Sequence, residues 1–161
     1  MAERQNDQVL LFRAANVRLG VFIAEVGRLV VESNIAAVPF AHPALAGLVE
    51  EADGQVVPVF DLRGLLPDQK PLAQVGGARV ALFETDIGPV GLRLEVTEGG
   101  GLHYTFMEDS DRTEQQLAAL PAEIRPAVTA VGEDEGGPFF FFSADAFLAA
   151  LDLYAARRPE P

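Results

Sequence analysis

The chain has 161 residues, 49% of them apolar, and 12 Lys plus Arg stand against 24 Asp plus Glu for a net charge of −12. That length bounds the chain to one domain, or to two very small subdomains sharing a core. The charge makes a nucleic-acid duplex or an anionic membrane surface an unfavourable partner. There is no cysteine, which removes disulfides, thiolate metal sites and thiol nucleophiles and fits a reducing compartment.

The stretch Met1 to Gln8 is polar where a secretion signal needs an apolar core, and no apolar run approaches bilayer-spanning length. The expectation is a soluble cytoplasmic protein without membrane insertion. Val9 to Phe12 reads as a buried strand, Ala15-Asn16 as a turn, and the apolar positions Val17, Leu19, Val21 and Ile23 alternate to form a second strand. These two make a hairpin. A kink around Ala24 to Gly27 leads to Leu29 to Val31, after which Pro39 and Pro43 prevent regular structure until Leu45. Leu45 to Val49 and Val56 to Phe60 flank an acidic, Gly-containing turn, so they predict a second hairpin. It feeds a helical turn that Asp61 is placed to cap.

Pro67 to Gly77 reads as the connection between halves, rich in Pro, Gly and polar residues. Val80 to Phe83 and Val90 to Val96 are further strands around the turn Thr85 to Pro89, and Glu98 to Gly101 is expected to break the chain. Thr113 with Gln116 has the reciprocal capping pattern and predicts a short helix through Leu120, ended by Pro121. Phe139 to Phe142 reads as a buried strand. Ser143 then caps a final helix with Phe147, Leu151 and Tyr154 on one face and Arg157 and Arg158 at the negative end of its dipole.

The order of signals repeats. Pro43, strand, acidic Gly turn, strand, Asp61 and Leu65-Leu66 are echoed by Pro121, Ala127 to Val131, Glu133 to Gly137, Phe139 to Phe142, Asp145 and Phe147-Leu148. Two halves are therefore expected: about 9–66, then the 67–77 connection, then about 78–142 with a helix over about 143–157.

Residues for catalysis are few. His42 lies in a loop between prolines and His103 follows three glycines, neither with metal-ligand spacing to another histidine or carboxylate. Both read as structural or solvent-facing. No serine-hydrolase elbow, phosphate loop or dinucleotide fingerprint is present, and Gly99-Gly100-Gly101 reads as a flexible turn because no Lys follows. Glu50, Glu51 and Asp53, like Glu133, Asp134 and Glu135, surround Gly in loops, where charge is expected to be solvated. No cofactor and no metal is implied.

The block Pro43 to Leu66, reading PALAGLVEEADGQVVPVFDLRGLL, resembles the CheW-like domain, the adaptor module of bacterial chemosensory arrays, at Gly47, Gly54, Val57, Pro58, Val59, Asp61, Leu62 and Arg63. The resemblance implies a mostly β fold of two five-stranded, SH3-like β-barrel subdomains with short helices, covering roughly Val9 to Leu151. It also implies a non-enzymatic adaptor joining a receptor's cytoplasmic tip to the regulatory domain of a histidine kinase, or binding another CheW-like protein.

Carried over by position, Val26, Arg28 and Leu29 match a kinase-facing strand and Gly47 a glycine important for docking. Asp61 reads as structural, while Arg63 is open between a local ion pair and partner docking. Two departures stand out. The family usually has Asn-Leu-Arg-Gly at the hairpin tip, whereas this chain has Glu51-Ala52-Asp53-Gly54, with one extra residue after Gly47 and an acid where the arginine belongs. Where the family often has an acid, Arg28 stands. Reversing such charges repels the carboxylate or cation a conventional partner would offer. The alternatives are a repurposed subunit of a motility or polarity system that does not bind a conventional kinase, and a small-ligand-binding β-barrel or enzyme using His42 or His103 with a carboxylate.

Overall fold

In the computed structural model the described residues are 8–31, 35–36, 43–51, 53–66, 79–101 and 103–156. The expected connection Pro67 to Gly77, His42, and the arginines Arg157 and Arg158 lie outside them, as does the side chain of Tyr154. Ala15 and Asn16 both take positive φ, 54° and 63°, which twists the two-residue loop to match its strands. It joins β1 (Val9–Ala14) to β2 (Val17–Phe22). A 3-10 turn over Ile23–Glu25 makes the expected kink before β3 (Val26–Val31). Then come β4 (Leu45–Glu50), β5 (Val56–Phe60), a 3-10 turn over Leu62–Leu65, β6 (Arg79–Thr85) and β7 (Gly88–Leu94). The chain continues through β8 (Val96–Gly101), the two-residue β9 (Thr105–Phe106), α1 (Ser110–Ala119), β10 (Val128–Asp134), β11 (Gly137–Phe142) and α2 (Ala144–Ala156).

The strands form two sheets, β8-β1-β2-β11-β10-β9 and β3-β6-β7-β5-β4. Leaving β9 aside, the two orders match place for place. Hairpin β1–β2 corresponds to β6–β7, and hairpin β10–β11 to β4–β5. The strand that follows each first hairpin, β3 or β8, crosses to the edge of the other sheet. The registers repeat as well: β11 runs parallel to β2 with Phe141 beside Gly20, and β5 parallel to β7 with Val59 beside Gly91. Side chains explain the glycines, since a Cβ on Gly20 would come within 2.9 Å of Phe139 and Val9, and one on Gly91 within 2.8 Å of Val80.

Neither sheet is confined to one of the segments 9–66 and 78–142, because the crossing strands mix them. Sheet one takes β1 and β2 from the N-terminal segment, while β6 and β7 complete the other. The echo between hairpins is real, but its cap pairs Asp61 with Ser143 rather than with Asp145. Asp61 N–H donates to the Ala44 carbonyl at 2.8 Å and Ser143 N–H to the Ala127 carbonyl at 2.9 Å. The Asp61 carboxylate then caps Arg63 N–H at 2.9 Å and the Ser143 hydroxyl caps Ala146 N–H at 3.1 Å.

The largest apolar core lies between the sheets, with Phe12, Leu19, Leu62, Leu92 and Ile124 nearly inaccessible, and each sheet also closes on a smaller core of its own. Phe147 of α2 locks it: its ring sits edge-on to Phe60 of one sheet at 5.4 Å and 5.7 Å from Phe142 of the other. The Phe139–Phe142 run is buried as expected.

Two expectations are corrected. Glu98 to Gly101 does not break the chain: Gly99, Gly100 and Gly101 pair with Leu11, Leu10 and Val9 as strand β8, since backbone hydrogen bonds need no side chain, and the interruption comes at Glu95. Helix α1 begins three residues before Thr113, because Asp109 is its cap, accepting from Asp111 and Arg112 N–H at 2.9 and 3.2 Å. Thr113 instead donates its hydroxyl to the Met107 carbonyl at 3.3 Å.

Candidate interaction site on the five-stranded sheet

Val26, Arg28 and Leu29 lie on β3, one edge strand of the five-stranded sheet, and Gly47 on β4, the other. The sheet curls enough for the edges to meet, because the Arg28 guanidinium pairs with the Glu51 carboxylate just past β4. Val26, opposite Phe83, packs on the shared core and Val30, opposite Val80, on the core inside the sheet, the register shifting between Val26 and Arg28. Leu29, opposite Ala81 on this edge strand, is 39% exposed.

Gly47 is buried rather than displayed. A Cβ there would run into Ile35 and come 2.5 Å from the Ala36 carbonyl oxygen, where Ala36 and Leu48 exchange backbone hydrogen bonds of 2.9 Å. Its local role is close backbone approach. Asp53 sits exposed at the β4–β5 tip and accepts from Gln55 N–H at 3.0 Å, while Gly54 supplies the positive φ of 86° that the turn requires. The acids of this turn are thus not merely solvated: Glu51 is half-buried and ion-paired.

Arg63 is not part of this constellation. It lies past the far end of β5, about 17 Å of strand from the tip, and its Nε donates to Glu95 at 2.7 Å. Glu95 also accepts from Ala15 N–H in the β1–β2 turn, so Arg63 and Glu95 tie the two sheets together. Beside them, Arg93 Nη1 donates to Asp61 at 3.1 Å with both side chains 3% exposed. Sequence reading passed over Glu95 and Arg93. Their signal was a lone cation inside the otherwise apolar run Val90 to Leu94, which a buried strand tolerates only with an acid opposite.

The matching tip of the other sheet is closed by a second arginine. Asp134, expected to be a solvated turn acid, receives two hydrogen bonds from Arg18 of β2 at 2.7 and 2.9 Å, and Arg18 also donates to Glu98 at 3.0 Å. The Arg18 hydrogen bond holds the Asp134 carboxyl below its ordinary pKa against the opposing effect of burial, with Gly136 N–H helping. Asp134 in turn raises that of Arg18.

Two grooves open nearby, one of about 470 Å³ between the β1–β2 turn and the end of α1, the other of about 360 Å³ floored by Phe22, Phe106 and Phe141. Neither brings together groups for catalysis. His103 is exposed, and among the described residues no three His, Cys, Asp or Glu side chains group to hold a metal ion. No helix among the described residues is long and apolar enough to cross a membrane.

Two sheets of matching strand order, closed at equivalent tips by arginine–carboxylate pairs and capped by one helix, define a double β-domain with an exposed edge. The model of the CheW-like domain matches residues 8–99, and the chain belongs to that family. Its fold is similar to the crystal structure of the scaffolding protein TtCheW from Thermoanaerobacter tengcongensis, with a TM-score of 0.67 and 16% identity over 88% of this chain and 87% of that one. No curated protein matches by sequence.

Proposed function

We propose that the protein is a non-enzymatic cytoplasmic adaptor that joins a receptor's cytoplasmic tip to the regulatory domain of a histidine kinase through the β3 edge and the β4–β5 tip. The observation that carries this reading is the exposed Leu29 on an edge strand whose neighbour Arg28 is held by Glu51. An apolar side chain framed by charges suits a contact whose centre is desolvated and whose rim sets partner choice. Family membership and the scaffolding protein of similar fold support it.

The test is a titration of wild type, Leu29→Glu, Arg28→Glu and Asp53→Arg against the regulatory domain of the kinase from its own cells and against one from a conventional array. Leu29→Glu is expected to abolish binding to its own partner, and the charge reversals to weaken it. Unchanged binding in all three variants would remove this face from the reading.

A second reading, a repurposed motility or polarity subunit, is favoured by one feature. Arg28 and Asp53, which replace oppositely charged family residues, already have partners within the chain, in Glu51 and Gln55 N–H. Tight binding of wild type to the conventional domain would sink it.

A further inference from the structure

Ile87 is 74% exposed and Val56 54%, and the parallel pairing of β5 with β7 puts them at the same end of the sheet. In the parallel pair β5–β7, Val59 lies beside Gly91 and Phe60 beside Leu92. Both strands run the same way from there, so Val56, at the start of β5, and Gly88, at the start of β7 next to Ile87, lie at the same end of the sheet. Val56 is one residue before the buried Val57 and therefore faces out. Thr85 fixes the turn that lifts Ile87, its hydroxyl donating to the Gly88 carbonyl at 2.6 Å.

Single exposed apolar residues are ordinary on a protein surface, but in the corresponding turn of the other sheet the exposed position equivalent to Ile87 is the polar Asn16. The apolar pair is rimmed by acids: Glu50 lies directly across from Val56, Asp53 is at the adjoining tip, and Glu84 and Asp86 flank the Ile87 turn, all four exposed. The nearby cation, Arg28, is held by Glu51.

From this juxtaposition we infer that the end of the five-stranded sheet centred on Val56 and Ile87 is a second docking surface, for a protein partner presenting an apolar side chain flanked by Lys or Arg. The acidic rim repels an anionic lipid surface or a nucleic acid, and with a chain charge of −12 it repels a second copy of this chain. A cationic rim on the partner is complementary and leaves the apolar centre to be desolvated. The surface adjoins the β4–β5 tip that the adaptor reading uses and goes beyond that reading, its centre being Val56 and Ile87 and not Leu29 on the β3 edge.

The experiment places the photocrosslinking residue p-benzoylphenylalanine at Ile87, and separately at Leu29, in the protein expressed in its own cells, and sequences the crosslinked peptides. The expected product from position 87 is a protein segment with an apolar residue flanked by Lys or Arg. With that protein purified, the double variant Glu84→Lys/Asp86→Lys, checked by circular dichroism to be folded, is expected to bind about tenfold or more weakly, with a shallower salt dependence than wild type. No crosslink from position 87, or one to lipid, to a second copy of the chain or to an acidic segment, would overturn the inference, as would unchanged affinity of the charge-reversed variant. Position 29 reports on the adaptor reading alone, so a product there without a kinase or receptor defeats that reading and leaves this one standing.

Discussion

Asp61 and Arg93 meet at 3.1 Å with both side chains 3% exposed, and the same Asp61 caps the 3-10 turn through Arg63 N–H. One carboxylate therefore serves a turn and a buried cation from the neighbouring strand β7. Removing either partner takes from the other a charge-assisted hydrogen bond made away from water, whereas removing both takes the two charges out together. Arg93→Ala is expected to cost about 3–5 kcal/mol, and Asp61→Ala about 1 kcal/mol more for the lost cap. The pair Asp61→Asn/Arg93→Leu should recover a large part of that loss, because asparagine still caps and leucine fills the strand position. Urea midpoints with unchanged slopes check this, and additive single and double costs would show that the two residues act independently.

Gly47 bears on whether a docking glycine acts by contact or by fit. Its missing Cβ makes room for Ile35 and the Ala36 carbonyl. Gly47→Ala should therefore destabilise the fold by about 1–3 kcal/mol through overpacking and loosen the Ala36–Leu48 bridge. Gly54, at φ 86° with open space around it, should cost about 1–2 kcal/mol on substitution by Ala, from backbone strain alone. If Gly47→Ala unfolds at the wild-type urea concentration yet fails to bind, the glycine belongs to the interface after all.

Much of this fold is legible in the sequence because hairpins announce themselves locally. The Ala15-Asn16 turn, the Val56 to Phe60 strand and the caps Asp61 and Ser143 depend on neighbours a few residues away. The exchange of β3 and β8 between sheets does not, since nothing in either strand's own pattern says which edge it joins. The glycines of β8 look like a break for the same reason, their pairing being set by β1, some ninety residues earlier in the chain. At the candidate site, Leu29 and Arg28 were marked by resemblance, but Glu51 as the partner of Arg28, and Glu95 as that of Arg63, are separated from them by 23 and 32 residues. A charge in a sequence shows that a partner is needed, and only the folded chain shows which one.

Phe147 joins both sheets through Phe60 and Phe142, so Phe147→Ala should cost about 3–5 kcal/mol. It should lower the stability of both sheets together instead of fraying α2 alone. Hydrogen exchange at β5 and β11 amides is the check, with comparable loss of protection expected in both. Loss confined to α2 would mean that each sheet holds its own core without the helix.

The Arg18–Asp134 pair gives the fold an acid-side dependence whose sign follows from its geometry. The Asp134 carboxyl is held below its ordinary value of 3.8, chiefly by the Arg18 hydrogen bond, so folding favours its charged form. The stabilisation is fully present above the unfolded pKa and is lost as pH falls through the lower folded value. Asp134→Asn, which cannot titrate, should be less stable than wild type by a constant margin from pH 7 to about 5. That margin should shrink below about pH 4, where the wild-type carboxylate begins to protonate. Arg18→Met should remove at least this margin, since Arg18 also holds Glu98 and the Gly137 carbonyl, and return the Asp134 pKa toward the ordinary value, observable by NMR titration of its side-chain carbonyl. Urea unfolding of the three proteins across this range makes the comparison. A wild-type advantage that persists undiminished to pH 2 would show that the tip is held by packing and not by this charge pair.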